Sequence, residues 1–136
     1  KEPGASSVFH AGFVTYSNKM KSVLLNVPEK TLVEHGAVSK ETVIAMANGA
    51  IEKSGADYVI AVSGIAGPDG GTVDKPVGSF WIAWGNKGDI QSTYLQLKSS
   101  RWHFQVSVAS IGLDLIRREI IKSNEVPRYF IERKHK

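Results

Sequence analysis

Tyr58-Val-Ile-Ala-Val-Ser-Gly-Ile-Ala-Gly-Pro-Asp-Gly-Gly-Thr72 is the stretch on which the reading of this chain turns. The apolar run from Ala56 to Val62 predicts a strand covered on both faces, the kind found in parallel or mixed sheets. It empties into a loop with four glycines, Gly64, Gly67, Gly70 and Gly71, within eight residues. Such density weakens any helix or strand and supplies backbone angles and close approaches that a Cβ would forbid. From Ser63 to Val77 run about fifteen residues without regular pattern, a length that marks either function or disorder in a compact domain. The strands on both sides favour function. Open α/β sheets bind ligands where loops leave their strands, and backbone N–H groups in such a loop can cradle a phosphate or an oxyanion.

Working outward, Ala11 to Tyr16 alternates with β-branched and aromatic residues and predicts a strand, followed by a short helix over Asn18 to Leu25. Ser39 is a suitable N-cap for a helix reaching Ser54, with an apolar stripe at Val43, Met46, Ala50 and Ile51 and a C-cap at Gly55. Beyond the loop, Gly78–Trp84 and Ile90–Leu97 predict an antiparallel hairpin. Phe104, Val108, Ile111, Leu115 and Ile116 recur at helical spacing within Trp102–Lys122. Interleaved strands and helices of this kind predict one domain over residues 1–136, a three-layer α/β/α sandwich around a mixed sheet.

The 136 residues, 42% apolar, suffice for one core. No run approaches the roughly 18 apolar residues of a membrane span, so a soluble protein without membrane contact is expected. The lack of cysteine excludes disulfides, thiolate metal sites and cysteine nucleophiles, and suits a reducing compartment, the cytoplasm. The net charge of +4 is confined to residues 117–136, where seven basic groups face three acidic ones. That distribution reads as a solvated basic tail, residues 124–136, and nucleic acid is not expected as a partner. His10, His35, His103 and His135 have no metal-site spacing, so no metal is expected. No Gly-x-Ser-x-Gly elbow, P-loop or dinucleotide fingerprint occurs. Near the start, Ser6 and Ser7 precede Tyr16 and Lys21; a serine hydroxyl needs a base, and a lysine held neutral by burial can serve.

Taken in order, Pro3-Gly-Ala-Ser6, Gly12-Phe-Val-Thr-Tyr-Ser-Asn18 with Lys21, His35-Gly-Ala-Val-Ser39, Met46-Ala-Asn-Gly49, Ser63-Gly-Ile-Ala-Gly-Pro68 and Lys75-Pro-Val-Gly78 carry a resemblance. They resemble the C-terminal domain of the competence-damage-inducible protein CinA, the family of nicotinamide mononucleotide deamidases. The resemblance implies hydrolysis of the carboxamide of nicotinamide mononucleotide to nicotinate mononucleotide and ammonia, in pyridine nucleotide salvage, with no cofactor. It makes Ser6 the nucleophile, Lys21 its general base and Tyr16 a proton-relay or orienting group. Ser63, where the family usually has threonine, would bind substrate or the oxyanion together with Gly64, Ala66, Gly67, Gly70 and Gly71. Arg101 becomes the candidate for the phosphate, although Ser99-Ser100 stand before it in place of the family's Gly-Asp.

This sequence begins after the strand and helix with which the family opens, so the sheet is expected to lack its first strand. An extended Ala11–Tyr16 spans about 20 Å at roughly 3.3 Å per residue and separates Ser6 from Lys21. Either a bend at Ala11-Gly12 or a homodimer must bring them together. Two other readings stay open: a catalytically silent nucleotide-binding or regulatory module, and an interaction module working through the basic tail.

Overall fold

The computed structural model describes residues 3–133. After a 3₁₀ turn at Ala5–Ser7 come helices α1 (Asn18–Leu25), α2 (Glu29–His35) and α3 (Lys40–Ser54). Strands β1 (Tyr58–Gly64), β2 (Ser79–Asn86) and β3 (Asp89–Gln96) follow, then α4 (Arg101–Ile120) and α5 (Arg128–Glu132). The helix ends follow local chemistry. Ser17 and Ser39 accept the amide hydrogens of Met20 and Thr42, and Asn26 and Gly55 close α1 and α3 in the left-handed conformation.

The sheet runs β1-β2-β3 with both pairings antiparallel. Side-chain alternation splits it between two cores. On one face Val59, Ala61 and Ala83 meet Leu25, Val27, Leu32, Val43, Met46 and Ile51 from the α1–α3 side. On the other, Phe80, Ile82, Trp84 and Leu95 meet Phe104, Val108, Ile111 and Leu115 of α4. The expected layering of helix, sheet and helix is therefore present.

Several expectations need correction. Residues 11–16 are not a strand. Their alternation is real, since Thr15 is buried and Phe13 packs on the first core while Val14 and Tyr16 are 85% and 88% exposed. A strand is a pairing, however, and among the described residues no neighbouring chain supplies one. The mixed sheet depended on that strand; the three that form are all antiparallel. Helix α2 was not foreseen, being seven residues with Pro28 as its cap and Leu32 its one buried residue. Nor is the basic tail simply solvated. Tyr129 and Phe130 of α5 pack on the second core, the Tyr129 hydroxyl donates to Asp114 at 2.8 Å, and the amide of Gln96 donates to the carbonyl of Arg133. Lys134, His135 and Lys136 of that tail, like Lys1 and Glu2, lie outside the described residues.

Gly49 sets the distance between α1 and α3, because a Cβ there would stand 1.8 Å from the carbonyl oxygen of Leu25. Backbone cannot step aside as a side chain can. Gly49→Ala is expected to destabilise the fold by about 3 kcal/mol, despite alanine's better helix propensity, as read from the urea midpoint.

Asp114 accepts hydrogen bonds from Arg117 and Arg118 of its own helix and from Tyr129, which ties α5 to α4. Burial alone would raise its pKa, but the bonds from those three groups outweigh it and hold the carboxyl at about 2, against 3.8 ordinarily. A folded-state value below the unfolded one gives stability that is present above pH 4 and lost as the pH falls toward 2. Asp114→Asn should flatten that part of the stability-versus-pH curve and expose Tyr129 to solvent, which tyrosine fluorescence will show.

Candidate active site

A cavity of about 540 Å³ opens where β1 gives way to the glycine loop, between α1, the loop and the first turn of α4. The loop is closed at its base: the amide of Ile65 donates to Ser79 at 2.9 Å, and that of Gly78 to Ile65 at 2.7 Å. Within it the amide of Thr72 donates to the carbonyl of Lys75, and the Thr72 hydroxyl accepts the Lys75 amide. Gly67 has φ +75, and a Cβ there would stand 2.4 Å from Val77 Cγ1, so the bend next to the cavity requires glycine.

Of the residues singled out from sequence, Tyr16, Lys21, Ser63, Gly64, Ala66, Gly67, Gly70 and Arg101 all line this cavity. Gly71 does not; it lies where a Cβ would stand 2.7 Å from the amide nitrogen of Val77, folding the loop onto itself. Ser6 also lies outside the lining, on the exposed 3₁₀ turn that Gly4 introduces with φ +81.

Lys21 faces the cavity from α1. It is only 6% exposed, and its Nζ donates to the carbonyl of Thr15 at 2.9 Å. Among the described residues no carboxylate lies within ion-pairing distance of it. Burial therefore pulls its pKa below the ordinary lysine value and favours the neutral amine. Ser63 is buried in the wall of the same cavity, and the Arg101 guanidinium donates to the carbonyl of Gly67 at 2.9 Å, tying α4 to the loop. Sequence reading missed Asp69 and Gln105, both at the cavity. Asp69 sat inside the glycine loop, and Gln105 lies four residues beyond Arg101, one helical turn along α4.

A second cavity, about 420 Å³, lies on the other face between Trp84, Leu115 and Phe130. Its Arg118 is committed to Asp114 and the carbonyl of Glu125, and none of the residues singled out from sequence reaches it. Among the described residues no cluster of three metal-ligating side chains occurs, and no helix is long and apolar enough to cross a membrane.

A concave site with a buried lysine of lowered basicity, a buried hydroxyl and loop amides defines an α/β domain with a pocket suited to a small polar molecule. The chain belongs to the CinA C-terminal domain family, whose sequence pattern matches residues 1–120. It is 52% identical over 130 residues to a CinA-like protein of Colwellia psychrerythraea, covering 96% of this chain and 30% of that one. It is 44% identical over 121 residues to the nicotinamide-nucleotide amidohydrolase PncC of Enterobacter agglomerans, covering 88% of this chain and 74% of the relative. In three dimensions it matches the competence damage-inducible protein A of Klebsiella pneumoniae with a TM-score of 0.85 at 29% identity, covering 90% and 76% of the two chains. The chain thus spans under a third of the Colwellia relative and about three quarters of the amidohydrolase.

Burying Lys21 without a counter-ion costs stability. With its folded-state pKa below that of the unfolded chain, the unfolded chain binds more protons between the two values, so stability rises with pH toward 10.5. Lys21→Met is expected to raise stability by about 1 kcal/mol at pH 7 and to remove that rise, as measured by urea unfolding across pH.

Proposed function

We propose that this domain hydrolyses the carboxamide of nicotinamide mononucleotide, releasing ammonia and nicotinate mononucleotide, as a cytoplasmic step of pyridine nucleotide salvage. The observation that carries the reading is Lys21: buried, without an acidic partner among the described residues, and opening onto the cavity of the glycine loop. The relatives named as nicotinamide-nucleotide amidohydrolases supply the substrate class.

In this reading the neutral amine of Lys21 takes the proton of a serine hydroxyl as its oxygen attacks the carboxamide carbon. Loop amides from Ser63 to Gly67 hold the oxyanion, and the lysine ammonium returns its proton to the departing ammonia. Water then cleaves the acyl-serine ester by the same proton path. Arg101, at the start of α4, takes the phosphate, and Tyr16 at the mouth orients the groups. No metal or organic cofactor enters any step.

The serine is Ser6, delivered by a second copy of the chain. Residues 11–16 form an arm outside any helix or strand and leave Val14 and Tyr16 exposed. Two such arms paired antiparallel about a two-fold axis would each carry a Ser6 toward the other's Lys21, and they would bury the exposed face. One feature favours the alternative of a silent binding module: Ser6 stands outside the cavity of its own chain.

Ammonia release from nicotinamide mononucleotide tests the proposal. Ser6→Ala and Lys21→Ala should each lower kcat by about 10⁴-fold or more with the fold intact. Mixing the two inactive variants should restore about a quarter of wild-type activity, because half the dimers regain one complete site. Loss of turnover in Ser63→Ala with a normal rate in Ser6→Ala would make Ser63 the nucleophile. Calorimetric binding of the nucleotide without ammonia release would leave the silent module.

A further inference from the structure

Three charged side chains line the cavity: Lys21, Arg101 and Asp69. The first two are basic. Arg101 presents an exposed guanidinium, and Lys21 is cationic whenever it holds a proton. Such a wall attracts phosphate and repels a cation. Nicotinamide mononucleotide presents both, because the nitrogen that carries the ribose makes the pyridine ring a pyridinium. Resting on the reading proposed above, we infer that Asp69 faces that ring and makes the site select a cationic pyridinium over a neutral ring of the same shape.

Asp69 is the one carboxylate among the lining residues, and among the described residues it makes no ion pair or hydrogen bond. The nearest loop cation in sequence, Lys75, points elsewhere, its Nζ donating to the carbonyl of His35 at 3.3 Å. Arg101 is held to Gly67, two residues before Asp69, by its bond to the Gly67 carbonyl. One short bend therefore carries a fixed positive group and an uncommitted negative one. The closed base of the loop and the glycine-dependent bend at Gly67 hold this arrangement in place. Asp69 is exposed at the rim, so water screens it and the selectivity is expected to be modest.

The probe is a pair of ligands that share every atom of the ribose phosphate: nicotinamide mononucleotide and its dihydropyridine form, whose ring is neutral. Affinities are measured by calorimetry on the whole protein, with ammonia release followed in parallel. Wild type should bind the oxidised nucleotide about tenfold more tightly than the reduced one, equivalent to about 1.4 kcal/mol. Asp69→Asn should lose that preference by weakening the oxidised nucleotide alone, and Asp69→Glu should keep most of it. An unchanged ratio in Asp69→Asn overturns the inference, as does equal weakening of both ligands, which would mark a loop-shaping role. If the wild-type protein binds neither nucleotide, the proposed function fails with it. If wild type hydrolyses the oxidised nucleotide and the ratio ignores residue 69, only the role of Asp69 fails.

Discussion

The contact between Gly49 and the carbonyl of Leu25 is the constraint from which the rest of the architecture follows. Because α3 offers no side chain at that point, the end of α1 rests directly on its backbone. Leu25 and Val27 then reach the first core, and the preceding turn of α1 puts Lys21 underneath the Thr15 carbonyl rather than in water. A lysine on an exposed helix would keep its ordinary basicity. Here the packing of two helices over a small residue turns a common surface group into a buried amine. Local sequence, helix packing and acid–base chemistry meet at one close approach.

The parts of the fold legible in the sequence were those decided by local chemistry. Ser39 and Gly55 bracket α3 as capping residues should, and the pattern from Phe104 to Leu115 places α4. The β2–β3 hairpin follows from two alternating runs joined by a glycine-containing turn. What could not be read depended on partners. The alternation of residues 11–16 is a statement about two faces, and it does not say whether another strand lies alongside. The orientation of β1 was equally hidden, since an apolar run suits a parallel or an antiparallel neighbour. The tail misled for a related reason: its charges dominate the composition, while Tyr129 and Phe130, two aromatics among them, decide where it lies.

The site was legible as a set of residues more than as a geometry. Eight of the ten singled out share one cavity, because the glycine loop and α1 converge at the same end of β1. Ser6 is separated from that convergence by an arm outside helix and sheet, and the sequence does not show on which side of the arm it falls. Asp69 is masked in the sequence by the glycines on either side of it, whose density gives the loop its character. Its meaning emerged from its neighbours, since a lone carboxylate beside two basic groups has a role that no motif would announce.

The hydrogen bonds joining Ile65, Ser79 and Gly78 make the mouth of the loop a continuation of the sheet. Of the residues between, Ala66 packs on the second core and Gly67 is bonded to Arg101, whereas 68–74 at the tip are all exposed. Lengthening or rewriting that tip would leave both cores undisturbed. Within a lineage of such domains the tip is thus free to drift while the scaffold stays constant, and divergence should concentrate there.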